Sequence, residues 1–235
     1  MKYGVKNINK SYKDLKILDN ISIDFEEYKT TCILGESGVG KTTLLNIIAG
    51  ITDKDTGDII GFGDEVSSFV FQEDRLIEWK NVKDNISFVL QKKIKKIEIE
   101  NLIDKYLKLV NLEEYKYFYP KDLSGGMRQR ISILRAFIYP SRILIMDEPF
   151  KSLDINNKQI VIELFKKLKT VEKKTCILVT HDVEEAITLG DKIVILSNKP
   201  TRVNVIIDNS SILDENDENK SKLKKVIEGK MIRNI

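Results

Sequence analysis

The chain has little of what several protein classes require. In 235 residues there are one histidine, one tryptophan and two cysteines. Cys32 and Cys176 both lie in apolar, β-branched runs, so buried free thiols are expected rather than a disulfide framework or a metal cluster. No apolar stretch approaches the ~18–20 residues of a membrane span. The longest, Leu44–Ile51, is interrupted by Asn46. The opening MKYGVKNINK is polar and reads as a strand start, so no secretory leader is expected. Charge of one sign is also missing: 39 Lys+Arg face 36 Asp+Glu, a net +3. The lysines are scattered along helices as solvated faces, which argues against a nucleic-acid partner. These absences together point to a soluble intracellular protein.

What is present is a chain that is 42% hydrophobic, enough to build a core in one large domain or one domain with a subdomain. Tyr3–Ile8 and Ile17–Phe25 alternate apolar and polar residues, as antiparallel strands with one wet face do. Thr30–Leu34, Ile143–Met146, Thr175–Thr180 and Lys192–Ser197 are short apolar runs, the pattern of buried parallel strands, and Ser67–Phe71 is a further strand. Lys41–Ala49 reads as a helix with Gly50 at its C′ position. From about 81 to 137 the apolar period becomes helical, through Val82, Ile86 and Leu90 and then Ile99, Ile103, Tyr106 and Val110. Val161, Leu164, Phe165 and Leu168 mark another amphipathic helix. Asp182 with Glu185 resembles a capping box, and that helix ends near Gly190. The tail from 208 to 235 is polar, with a run DENDENKSK and then a short amphipathic piece, leaving no room for a regulatory domain. The fold class is therefore α/β: a mixed sheet core, an N-terminal antiparallel β-subdomain and a helical subdomain at about 81–137, within a single domain spanning 1–235.

The chemistry is concentrated in a few motifs. Gly35, Glu36, Ser37, Gly38, Val39, Gly40, Lys41, Thr42 and Thr43 match G-x-x-x-x-G-K-[ST]. Such a loop points successive backbone N–H groups at phosphate oxygens, and the helix after it adds its positive end. Lys41 is expected to reach the β- and γ-phosphates of ATP, and the Thr42 hydroxyl to hold Mg²⁺. Arg142–Phe150 is an apolar strand ending in two carboxylates, which repel each other unless a cation or proton intervenes. Asp147 is then a Mg²⁺ residue and Glu148 the group that orients attacking water; a solvated acid pair is the alternative. His181 ends a buried strand, where open α/β sheets place ligands, although a lone histidine is more often structural. Gln72 also ends a strand, and an ordinary exposed amide would fit it equally. Tyr12 is either a half-buried surface residue or a platform for adenine. Trp79 is by default core, or an exposed interface aromatic.

The order of these motifs, with LSGGMRQR at Leu123–Arg130 between them, resembles the ATP-binding subunits of ABC transporters over almost the whole chain. The resemblance implies an aromatic A-loop residue (Tyr12), Walker A at 35–43, a Q-loop glutamine (Gln72, toward both metal and catalysis), and the signature Ser124, Gly125 and Gly126. It also implies Walker B at 143–148, a D-loop ending in Asp154, and a switch histidine (His181). It implies a head-to-tail homodimer with two ATP molecules between the P-loop of one copy and the signature of the other, whose following helix starts at about Met127. Transmembrane permease subunits, an extracytoplasmic solute-binding protein and a place at the cytoplasmic face of the membrane follow from the same likeness. QEDRLIEWKNVKDNI, DEPFKSLD and VTHDVEEAITLGDKIVILSNKP are similar to segments of the nitrate, sulfonate and taurine importer ATPases. Glu78 stands where those relatives have proline, Lys151–Ser152 replace a small pair, and the segment from Lys41 to Gln72 is short, as if a β-hairpin were trimmed. A soluble ABC ATPase acting on nucleic acid or the ribosome, and an exporter motor, are the alternatives.

Overall fold

The computed structural model describes residues 3–62, 67–91, 93–211 and 217–232. The chain divides into two compact units. The first comprises 1–67, 145–148 and 174–235, and the second 68–144 and 149–173.

In the first unit, β1 (Tyr3–Tyr12) and β2 (Leu15–Phe25) form an antiparallel hairpin, joined by β4 (Thr56–Ile60) in the order β2-β1-β4. The alternation seen in the sequence is realised along β2, where Ile21, Ile23 and Phe25 are buried while Asn20, Ser22 and Asp24 are exposed. The second sheet of this unit contains β6 (Ile143–Asp147), β7 (Thr175–Thr180), β3 (Thr30–Leu34), β8 (Lys192–Leu196) and β9 (Val203–Asp208), in that lateral order. β3 runs parallel to β7 and β8, and β9 closes the edge antiparallel to β8, so the sheet is mixed. The runs expected to be buried are largely so: every residue of β3, β6 and β7 is buried, and β8 is buried after Lys192. β9 is half-exposed, as an edge strand can be, and it is not among the strands expected from the sequence. β4 lies within the 41–72 segment in which a trimmed β-hairpin is expected; residues 63–66 of that segment lie outside the described residues, as does the beginning of the DENDENKSK run.

α1 (Lys41–Ile48) follows the phosphate loop and ends with Gly50 at φ 69°, the left-handed C′ residue the sequence called for. α6 (Val183–Leu189) is capped by Asp182, whose Oδ1 accepts from the N–H groups of Glu184 and Glu185. The capping box itself is altered. The Asp182 N–H donates to Thr180 Oγ1, and that hydroxyl in turn donates to Glu185. The expected loose terminal piece is α7 (Asp217–Ile232), a 16-residue helix that buries Leu223 and Ile227 and lies against α6. Cys32 and Cys176 are buried and form no disulfide, and the Cys176 thiol donates to Lys174 O at 3.7 Å.

The second unit is mainly helical. β5 (Ser67–Val70) pairs with the start of β6, and Ser68 Oγ donates to Ile143 O. α2 (Val82–Leu90), α3 (Lys96–Leu109), α4 (Gly125–Ile138) and α5 (Ile155–Val171) pack through the apolar stripes read from the sequence. Ile86, Leu90, Ile103, Leu107, Leu134, Phe137 and Phe165 are inaccessible or nearly so, and Phe137 meets Phe165 edge to face. Burial of side chains this size contributes roughly 1.5–3 kcal/mol each.

Candidate nucleotide site

In the first unit the loop from Gly35 turns out of β3 into α1. Gly38 and Gly40 take φ 83° and 111°, values open to glycine at little cost. At Gly40 the space is closed as well: a Cβ there would lie 2.7 Å from Ile17 Cγ2. Thr201 holds the loop from the other side, its Oγ1 donating to Val39 O, while its backbone bonds Ile17 O and the Asp19 N–H. The sequence carried no sign of Thr201, because its partner is far away along the chain and its role appears only when β2, the loop and β9 come together. Lys41 lies within the loop, its ammonium donating to Gly35 O and Glu36 O at 2.8 Å each.

The tip of β6 faces this lysine. Asp147 and Glu148 are both buried. Glu148 Oε1 is 3.4 Å from Lys41 Nζ, and its Oε2 is 3.2 Å from His181 Nδ1. Glu148 has φ 44°, a left-handed conformation that costs a non-glycine residue on the order of 1–3 kcal/mol. Its N–H is tied to Val179 O at 2.9 Å, so the sheet fixes the turn that aims the carboxylate. With its proton on Nδ1, His181 donates to Glu148 and leaves Nε2 free to accept; nearly half of its side chain is exposed. The acid pair is therefore not a solvated surface pair. The structure brings Lys41, Glu148 and His181 into one contiguous cluster.

Thr42 is exposed at the first turn of α1 and Asp147 ends β6. No group of three or more His, Cys, Asp or Glu poised to hold a metal occurs among the described residues. A hydroxyl and one carboxylate suit Mg²⁺, which takes few protein ligands and completes its octahedron with phosphate oxygens and water. Tyr12 is half-exposed at the end of β1, opposite Leu15. Three residues along β2, about 10 Å at the rise of a strand, Leu18 reaches Gly40: a Cβ there would lie 3.2 Å from Leu18 Cδ2.

The remaining candidates lie in the second unit. Ser124 caps α4, its Oγ accepting from the Met127 N–H at 3.3 Å, so this helix starts at Gly125, two residues before the expected point. Gln72 is exposed, and it lines a cavity of about 390 Å³ together with Gly125, Gln129, Pro149 and Ser152. Asp154 caps α5. Trp79 is 80% exposed, which removes the core alternative. Its loop is held by Asn85, a fully buried amide that accepts from the Ile77 N–H and donates toward the carbonyls of Ile77, Lys80 and Asn81. Asn85 was not singled out from sequence; an Asn inside an amphipathic helix at a buried position was the available signal.

The family model of the ABC transporter matches residues 18–151. An aliphatic sulfonates import ATP-binding protein of Bacillus cereus is 36% identical over 211 residues, covering 87% of this chain and 83% of that protein. An uncharacterized ABC transporter ATP-binding protein of Methanocaldococcus jannaschii is 38% identical over 218 residues, covering 88% and 82%. A sulfate/thiosulfate import ATP-binding protein of Pectobacterium atrosepticum is 38% identical over 211 residues, covering 84% of this chain and 64% of that protein. Among solved structures, a dimeric ATP-binding cassette in a post-hydrolysis state bound to ADP and Pi is similar with a TM-score of 0.76 at 28% identity, covering 89% of this chain and 99% of that one. The chain belongs to the ABC transporter family and is one of its ATP-binding, ATP-hydrolysing cassettes.

Proposed function

We propose that the chain is the motor subunit of a small-solute importer, working as a head-to-tail homodimer beneath a transmembrane permease at the cytoplasmic face of the membrane. An extracytoplasmic solute-binding protein would deliver the cargo. The import names of the relatives favour this reading over export or action on nucleic acid or the ribosome. The whole chain acts as one cassette domain, the helical part at about 81–137 carrying the signature.

The observation that carries the chemistry is Glu148 held between Lys41 and His181. The backbone N–H groups of 36–43 cradle the phosphates, and Lys41 exchanges its two loop carbonyls for β- and γ-phosphate oxygens. Tyr12 stacks on adenine. Mg²⁺, held by Thr42 and Asp147 with Gln72 as a further contact, would neutralise charge on the phosphates. Glu148 accepts a proton from the water whose oxygen bonds to the γ-phosphorus, as the bond to the bridging oxygen of ADP breaks. His181 holds the Glu148 carboxylate beside the transferred phosphoryl group. Ser124, Gly125 and Gly126 of the second copy donate to the γ-phosphate from the other side, helped by the N-terminus of α4, with Asp154 of that copy alongside.

The test is ATPase activity of the chain purified alone and with its permease. Lys41→Ala should abolish nucleotide binding, and His181→Ala should keep binding while turnover falls. Full turnover in Lys41→Ala would overturn the proposal.

A further inference from the structure

We infer that Asn157 is a positioning residue that locks the signature glycine Gly126 and the D-loop residue Asp154 of one subunit into a single rigid element. The inference rests on the two-subunit reading above, in which both loops are presented together to the partner's nucleotide.

The geometry is a clamp built from one short side chain. Asn157 is the third residue of α5, and its backbone N–H donates to Asp154 Oδ1 at 3.0 Å. Its side-chain amide donates to the other carboxylate oxygen, Oδ2, at 2.6 Å. Both oxygens of Asp154 are thus held by the same residue, and these bonds, the backbone one first, lower the pKa of Asp154. The opposite end of the amide meets α4. A Cβ built on Gly126 would lie 2.5 Å from Asn157 Oδ1, 2.8 Å from Cγ and 3.3 Å from Cβ. Three atoms of one side chain fill that space, so rotating the amide would not clear it. The Gly126 backbone is therefore packed directly against the Asn157 side chain.

Gly125 provides the contrast. A Cβ there would meet only Arg128 Nη2, at 3.9 Å. Gly126 is ordinary helical backbone rather than a left-handed residue, so conformation does not require glycine at 126. Space does, and Asn157 occupies the space. The donor end of the amide fixes the D-loop and the acceptor end fixes the signature. A displacement of either loop is passed to the other through a contact with no slack, as close packing demands.

The experiment uses the full chain carrying Glu148→Gln, and reads ATP-dependent dimerisation by sedimentation velocity and nucleotide affinity at dilutions where the chain is monomeric. Asn157→Ala should weaken dimerisation about ten-fold or more, ~1.4 kcal/mol, and leave monomer affinity for ATP unchanged, since the phosphate loop is untouched. Asn157→Asp, isosteric but without the donor and repelled by Asp154, should lose dimerisation similarly, and it serves where Asn157→Ala folds poorly. Gly126→Ala should be more damaging when Asn157 is present than in the Asn157→Ala background, where the contacts at 2.5 and 2.8 Å are gone and only the one to Cβ at 3.3 Å remains. Unchanged dimerisation in the Asn157 variants, or an equal cost of Gly126→Ala in both backgrounds, overturns the inference. Failure of Glu148→Gln itself to dimerise with Asn157 intact would instead count against the two-subunit reading.

Discussion

Lys41 Nζ lies 3.4 Å from Glu148 Oε1, with both side chains almost wholly withdrawn from solvent. The lysine of the phosphate loop and the acid at the strand tip are thus one buried ion pair. Removing one member of such a pair leaves the other charge buried, at a cost of about 3–5 kcal/mol. Lys41→Ala is therefore expected to lower stability as well as abolish ATP binding, whereas Lys41→Ala combined with Glu148→Gln should recover part of the stability and none of the binding. Urea denaturation of the two variants checks this. Equal stability of Lys41→Ala and the parent would mean that the pair is not maintained in solution.

Tyr12 tests the other end of the nucleotide. Stacking of a base on an aromatic ring is worth ~1–3 kcal/mol, so Tyr12→Ala should raise the ATP dissociation constant roughly ten-fold, and Tyr12→Trp should not. The half-exposed ring has Lys10 Nζ 5.4 Å from its centroid, so Lys10→Ala is the control for a merely electrostatic effect. Unchanged affinity in Tyr12→Ala would contradict adenine stacking.

Trp79 and Asn85 separate surface from scaffold on one loop. Trp79→Ala should leave Tm and ATP binding unchanged and weaken co-purification with the permease, because the ring is exposed. Asn85→Ala should lower stability, since it removes the partner of the Ile77 N–H and of the Lys80 carbonyl in a part-buried loop and empties a fully buried side-chain site, at a cost of about 1–3 kcal/mol. A large loss of stability in Trp79→Ala would place the ring in the core after all.

Much of this molecule was legible in the order of its residues. The buried strands, the phosphate loop and its helix, and the acids at the end of β6 are local patterns whose period or spacing has one physical meaning. The elements that escaped are of two kinds. β9 was readable in principle, because Val203, Val205 and Ile207 alternate with Asn204, Ile206 and Asp208, but Ile206 blurs the period and the strand is half-exposed. Thr201, Asn157 and the left-handed turn at Glu148 were not readable. Each is defined by a contact distant in sequence or by a backbone angle that a glutamate does not advertise. For Trp79 the composition could not choose between core and surface; its exposure in the folded loop, which Asn85 holds at Ile77 and Lys80, decides it.

The central claim, that Glu148 activates water for a nucleotide held between two copies of this chain, is tested most directly by Glu148→Gln. The substitution keeps shape and hydrogen-bonding reach but removes basicity, and a general base typically contributes ~10²–10⁴-fold. At high protein concentration and saturating ATP, size-exclusion chromatography should find Glu148→Gln as an ATP-dependent dimer with hydrolysis reduced by that order, and Glu148→Gln combined with Lys41→Ala as a monomer. A Glu148→Gln variant that turns over ATP at the wild-type rate and remains monomeric with ATP would contradict the account.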